Sequence, residues 1–255
     1  MSEKLYSILM YNFNNYEIMR EPEEMDPECE YLYITDDPKL KSNKWKIIVD
    51  HDLDGLSPFD KCYRVRFNLF KYATTPVCIY VDGSIQIHKS LRKLYNDFMK
   101  SECDIGLNIH PECDNVYEEY LRWLRLRGYS PYQMGKCLCM FQAAGWNPQD
   151  KGLYQGTCRI CKNTSLNKSI DDFVFNTLVK LGTNGIIERL DQTIYSFVIN
   201  KFFDKIKIFG FSQQVLQSKY MSWCLHKTTR IIPYNRYNDK EKGFILGKLK
   251  KTYKI

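Results

Sequence analysis

The sequence predicts an α/β fold with a parallel sheet, and three patterns point to it. The first is a set of four short apolar segments in the opening third: Tyr6–Tyr11, Tyr31–Thr35, Trp45–Val49 and Val77–Val81. The last three run into Asp36-Asp37-Pro38, Asp50 and Asp82-Gly83, which are turn signals. Strands that are apolar on both sides suit a parallel sheet covered on both faces. The second pattern is helical spacing between and after these segments, over 60–72 and over 89–100, where Leu91, Leu94, Tyr95 and Phe98 share one face. The third is a more helical second half. Val116, Tyr120, Leu121, Trp123 and Leu124 make a broad apolar face over 115–127, which Gly128 closes. Further amphipathic segments run over 171–181 and 190–203.

Length and composition narrow the class. A chain of 255 residues, 44% hydrophobic and 26% charged, is an ordinary globular one and neither disordered nor fibrous. No apolar run approaches the roughly 18 residues of a membrane-spanning helix. The start, Met1-Ser2-Glu3-Lys4, lacks the basic and apolar blocks of a signal peptide, so a cytoplasmic location is expected. The net charge of +7 fits an anionic partner without requiring one. Aromatic residues at 15% suit stacking on sugars or bases, but an AT-rich coding sequence gives the same composition.

Residues 1–230 read as one domain, with a ligand-binding half over 1–100 and an acceptor-side half over 101–230. The tail over 231–255 is basic: from Lys240 onward it holds six Lys and one Glu, interleaved with Phe244, Ile245, Leu246 and Leu249. Such a segment fits peripheral contact with the cytoplasmic face of a membrane, or equally a solvated tail. Of the ten cysteines, four are grouped as Cys137-x-Cys139 and Cys158-x-x-Cys161, a set that could staple a module through zinc.

The most informative short stretch is Tyr80-Val81-Asp82-Gly83-Ser84-Ile85. An acid at the end of a buried strand, followed by Gly, leaves a carboxylate at the sheet's edge beside room for a ligand. Mg²⁺ and Mn²⁺ favour such oxygen ligands, although Asp-Gly also ends many ordinary strands. Other segments join it in order along the chain. They are Tyr11-Asn12, Tyr33-Ile34-Thr35-Asp36, Trp45-Lys46-Ile47, the pair Arg64 and Arg66, then His110-Pro111 with Asp114 and Tyr117-Glu118-Glu119, and finally Arg189-Leu190-Asp191-Gln192. Together these resemble the mucilage-related glycosyltransferase-like family over about four-fifths of the chain.

That resemblance implies a GT-A type, Rossmann-like fold: a mixed, mostly parallel sheet flanked by helices, with a helical acceptor side. It also implies a sugar-nucleotide donor, a carbohydrate or lipid-linked glycan acceptor, a Mn²⁺ or Mg²⁺ cofactor and no nucleic-acid partner. On this reading Tyr11, Asn12, Asp36, Arg64, Arg66, Asp82 and Gly83 bind the nucleotide sugar, with the arginines offering forked donors to phosphate or ribose. Asp82, Ser84 and the late His226 hold the metal. His110 and Asp114 face the acceptor, and Asp191, Gln192, Glu118 and Glu119 are the catalytic candidates. A carboxylate there acts as base if the anomeric centre inverts, or stabilises an oxocarbenium-like centre if it is retained. Glu118 and Glu119 are equally good first-turn acids for a helix. The family's Arg-Asp-Gln motif carries one inserted residue here, Leu190. Two rivals remain: a nucleotidyltransferase, whose Gly-rich phosphate loop Asn12-Phe13-Asn14-Asn15 does not resemble, and a non-enzymatic zinc-stapled binding module.

Overall fold

A computed structural model describes residues 3–127, 131–147, 149–183, 191–224 and 226. The strands are β1 (Tyr6–Asn12), β2 (Cys29–Thr35), β3 (Lys46–Val49), β4 (Val77–Val81), β5 (Ile85–Ile87), β6 (Ile105–Ile109), β7 (Tyr154–Lys162), β8 (Ile208–Ser212) and β9 (Met221–Trp223). The helices are α1 (Pro58–Arg66), α2 (Arg92–Lys100), α3 (Val116–Arg127), α4 (Pro131–Ala143), α5 (Ser165–Thr183), α6 (Asp191–Lys201) and α7 (Gln213–Lys219). Seven strands form one sheet in the order β3-β2-β1-β4-β7-β6-β8, and β5 pairs with β9 in a separate ribbon. The run β3-β2-β1-β4 is parallel, as is β6 with β8. Only β7 runs the other way, antiparallel to both β4 and β6. The chain is thus an α/β protein with a mostly parallel mixed sheet.

The alternation of side chains along β1 explains why every residue of that strand is buried. Leu9 and Tyr11 enter one core with Leu32, Tyr80, Val65, Tyr120 and Ile194, beneath α1 and α3–α6. Ile8 and Met10 enter the other, with Tyr33, Ile79, Phe98, Leu216 and Trp223, beneath α2, α7 and the ribbon. Among the described residues no helix is long and apolar enough to cross a membrane.

The four expected strands coincide with β1–β4. From residue 101 onward the chain adds α3–α7, but also β6–β9, which the sequence reading lacked. Charge concealed the central one: β7 carries Arg159, which pairs with Asp171 of α5 at 2.6 Å and is almost wholly buried. The helix expected over 60–72 stops at Arg66 and resumes as a 3₁₀ turn over Leu69–Lys71. The Arg66 carbonyl there accepts a hydrogen bond from Arg159 Nη2.

At the opposite end of the sheet, buried Asp26 ties the loop before β2 to the start of α2. It accepts from Arg92 Nε at 2.7 Å, Arg92 Nη2 at 2.9 Å, Tyr6 Oη at 2.8 Å and the Glu28 amide at 2.9 Å. The Arg92 hydrogen bonds, reinforced by the Glu28 amide and Tyr6, outweigh burial and bring its pKa from 3.8 down to about 2. A depressed carboxylate pKa stabilises the fold above the unfolded value and loses that stabilisation as pH falls through the folded value. The contribution is on the order of 2 kcal/mol. Asp26→Asn is therefore expected to melt well below wild type at pH 6, with the gap closing between pH 3.8 and about 2. A gap that persists unchanged at pH 2 would assign Asp26 a role independent of its charge.

Candidate functional site

The carboxyl ends of β1 and β4 open into one cavity of about 490 Å³, within the range of small-molecule sites. Its wall brings together Tyr11, Asn12, Arg66, Asp82, Gly83, Asp191, Gln192 and His226, which the sequence places up to 215 positions apart (226 − 11).

The first wall is the turn after β1. Asn14 and Asn15 both adopt left-handed backbone (φ 54° and 49°), which Asn tolerates better than most residues. The turn folds back on Asn12, whose Nδ2 donates to the Glu17 carbonyl at 2.7 Å and whose Oδ1 accepts from the Glu17 amide at 2.9 Å. Asn12 therefore uses its amide to shape the loop. The loop delivers Glu17, a buried carboxylate that the sequence reading missed, against Gly83. A Cβ on Gly83 would stand 3.0 Å from the Tyr11 carbonyl oxygen and 3.4 Å from Glu17 Cγ, so the close approach needs glycine. Tyr11 itself stacks with Phe13 at 5.7 Å and Tyr80 at 5.6 Å between centroids.

Asp82 follows β4. Its amide donates to the Thr157 carbonyl at 2.8 Å, and its Oδ1 accepts from the Gly83 amide at 2.9 Å. His226 arrives by way of the ribbon. Pairing of β5 with β9 continues in a hydrogen bond from the Cys224 amide to the Ser84 carbonyl at 2.8 Å. Just beyond it, His226 Nδ1 meets Glu17 Oε1 and its ring lies 5.2 Å from Tyr16. Ser84 is buried and does not line the cavity, so its part is to anchor the ribbon.

The opposite wall comes from α1, β7 and α6. Arg66, in the last turn of α1, places Nη1 on Asp191 Oδ2 and donates from Nη2 to Tyr80 Oη at 2.8 Å. Arg64 lies two residues earlier, about 200° around the helix. It is exposed and sits over the Phe175 ring at 5.2 Å, so the expected arginine pair does not act on one ligand. Asp36 also lies off the cavity wall, accepting from Lys61 Nζ at 2.8 Å and the Asn14 amide at 2.9 Å. It braces the loop rather than lining the pocket.

A break in the β6–β7 register between Leu107 and Asn108 leaves Gly156, Thr157 and Cys158 without a register partner on β6. Bulges of this kind redirect groups near ligand sites. The Gly156 amide donates to Gln192 Oε1 at 3.2 Å, setting the first turn of α6 against the cavity. A Cβ on Gly156 would lie only 3.3 Å from Arg66 Nη1. The described part of α6 begins at Asp191, and Asp191 and Gln192 both reach the cavity. Arg189 and Leu190 lie outside the described residues, as does the tail over 231–255.

The expected acceptor-side residues are placed elsewhere. Glu118 accepts from the Asp114 amide at 2.9 Å and Asn115 accepts from the Glu118 amide at 2.9 Å, a reciprocal cap on α3. Glu119 is buried, and burial holds its carboxyl above the usual value although nearby Arg122 opposes this. It accepts from Gln192 Nε2 at 3.2 Å, so it supports a cavity residue from behind. The Asp114 carbonyl accepts from the Gly152 amide at 3.1 Å.

His110, Cys113 and Glu119 bring one ligand-type atom each within 4.8 Å of one another. However, His110 Nδ1 accepts from the amides of Glu112 and Cys113 at 3.2 and 3.0 Å. A neutral ring must then carry its proton on Nε2, which stands 3.4 Å from Glu119 Oε2. That nitrogen has no lone pair for a metal, so the cluster is a hydrogen-bonded support. The cysteine grouping likewise fails as a chelate. Cys158 and Cys161 are three apart on β7 and enter opposite cores, while Cys139 is exposed on α4. The Cys137 side chain lies outside the described residues.

Glu17, Gly156 and Thr157 on the cavity wall escaped sequence reasoning. A glycine within a strand was the available signal for the bulge, and the Asn14-Asn15 pair for the turn. Compared with known proteins, the chain matches no family model and no curated protein.

Proposed function

We propose that the chain is a metal-dependent glycosyltransferase of GT-A type, transferring a sugar from a nucleoside-diphosphate sugar to a carbohydrate or glycolipid acceptor. One observation carries this reading: a single cavity beyond the carboxyl ends of β1 and β4 gathers Arg66, Asp82, Asp191 and His226. Ligands of open α/β sheets bind at this edge. The mixed, mostly parallel sheet flanked by helices is the architecture the resemblance implies.

Asp82, Glu17 and His226 line the same cavity and carry group types that a divalent cation takes, although Glu17 as placed is held by Arg20 at 3.3 Å and by His226, so it would have to give up these partners to bind one. A cation bound there would offset the charge of a departing diphosphate. Arg66 supplies a forked positive group from the facing wall. In the transfer, the bond from the anomeric carbon to the diphosphate oxygen breaks and its electron pair leaves with the nucleoside diphosphate. A bond to the acceptor oxygen forms, and that hydroxyl gives up its proton to the Asp191 carboxylate where the centre inverts, or to the departing diphosphate where it is retained. Asp191 provides the negative charge beside the reacting centre, and Gln192, held by Gly156 and Glu119, fixes the first turn of α6.

The test is a thermal-shift panel of nucleotide sugars with and without Mn²⁺, since a ligand that binds only the folded state raises the midpoint. At a concentration of 100 times Kd the gain is about 2.7 kcal/mol. Wild type is expected to show a Mn²⁺-dependent rise with at least one donor, and Asp82→Ala to fold but lose it. An Asp82→Ala protein with unchanged metal dependence would move the cation away from β4.

A further inference from the structure

The Arg66–Asp191 contact does more than line the cavity. The Arg66 fork is divided between Asp191 and the Tyr80 hydroxyl. That hydroxyl is 3.5 Å from Asp82 Oδ1, so the guanidinium stands one side chain away from the expected cation. Its Cζ lies 5.0 Å from the centroid of the Tyr80 ring and 5.9 Å from that of the Tyr11 ring, and its Nε is buried without a hydrogen-bond partner. Both charged groups are largely withdrawn from water, with side-chain exposures of 14% and 19%. A pair this enclosed is not opened by solvent alone, because separating buried charges is costly unless a replacement partner arrives.

We infer that the Arg66–Asp191 pair is a latch opened by the diphosphate of the donor, which takes the Arg66 fork and thereby releases the Asp191 carboxylate. The inference rests on the glycosyltransferase reading and adds an order of events to it. A diphosphate brings the multiple negative charge and the spaced oxygens that a guanidinium fork matches, whereas a neutral sugar brings neither. Without donor, Asp191 is engaged by a cation and is a poor partner for an acceptor hydroxyl. With donor, the same carboxylate is set free beside the acceptor. Gly156 leaves the space through which the guanidinium can turn, because any side chain there would crowd Nη1.

The latch has a signature opposite to that of a simple binding residue. Because Asp191 competes with the ligand for Arg66, its removal should tighten binding. Isothermal titration with Mn²⁺ and the diphosphates of uridine, guanosine, adenosine and cytidine provides the measurement. For the tightest of these, Asp191→Asn and Asp191→Ala are expected to bind about tenfold more tightly than wild type, equivalent to about 1.4 kcal/mol. Arg66→Met is expected to bind at least tenfold more weakly, and adding Asp191→Asn to it should change affinity less than twofold. An equal gain from Asp191→Asn in both backgrounds would show plain charge repulsion and overturn the latch. So would Asp191 variants that bind no more tightly than wild type, a result that leaves the donor site standing. Absence of nucleoside-diphosphate binding to wild type would instead remove the functional reading and the latch with it.

Discussion

Arg159→Met is expected to destabilise the protein by about 3–5 kcal/mol at neutral pH, the usual cost of orphaning one half of a buried ion pair. The reason lies in how much Arg159 alone satisfies. Its Nη1 and Nη2 hold Asp171 at 2.6 and 3.0 Å, Nη2 also reaches the Arg66 carbonyl, and its guanidinium lies 5.2 Å from the rings of both Phe67 and Tyr195. Burial already raises the Asp171 carboxyl above its usual value despite this partner. Without Arg159 that rise grows. An acid whose folded pKa is raised binds more protons folded than unfolded, so stability falls as pH rises between the two values. The deficit of Arg159→Met should therefore be larger at pH 8 than at pH 5, read from urea midpoints at constant slope. Arg159→Met combined with Asp171→Leu should recover much of the loss, since a well-packed apolar pair often replaces a buried ionic one without penalty. A single-variant cost below about 1 kcal/mol would mean that Asp171 is hydrated.

Arg159 also explains why the fold was only half legible. Strands β1–β4 announce themselves because their buried faces are apolar and each stops at an acid or turn. β7 lies within the sheet between β4 and β6 and is buried over Cys158–Cys161, but its sequence Tyr154–Lys162 includes Gln155, Gly156, Thr157 and Arg159. Its polar residues are satisfied by distant partners: Gln155 by Asn108 at 2.8 Å and Arg159 by Asp171. Such compensation depends on tertiary contacts and leaves no local periodicity to detect. β8 and β9 are short, at five and three residues, and gain their strand form from pairing with β6 and β5.

The cavity divides in the same way. Asp82 was readable because a strand-ending acid before glycine is a local pattern. Arg66 and Arg64 looked equivalent in sequence, and only the helical phase of α1 separates one facing the cavity from one facing Phe175. Glu17 was invisible because the Asn14-Asn15 pair signals a turn without saying where it leads; the place of Glu17 depends on the Asn12 side chain closing that turn and on the missing Cβ of Gly83. His110, Glu118 and Glu119 are polar residues of structural use, and composition alone cannot distinguish a capping carboxylate from one that meets a ligand.

Among the carboxylates that remain on the cavity wall, Glu17, Asp82 and Asp191, the one on the α6 side carries the largest expected effect on rate. Asp191→Asn is expected to lower sugar-transfer turnover by about 100-fold or more. The competing explanation is local: an acid at a helix start interacts with the helix dipole and is worth up to about 1 kcal/mol. Asn separates the two, because it still caps a helix but cannot take a proton or hold a full negative charge. A dipole role alone would lower the melting midpoint by a few degrees and leave the rate intact at temperatures where the protein is folded. The catalytic role adds slow transfer at temperatures where the protein is folded, over and above whatever midpoint loss unpairing the enclosed Arg66 brings, and the latch adds tighter donor binding, so kcat and KM should fall together. Initial rates at saturating donor, alongside the midpoint, decide the matter. A near-normal rate would return Asp191 to a structural role and leave Glu17, already in contact with His226, as the carboxylate to test next.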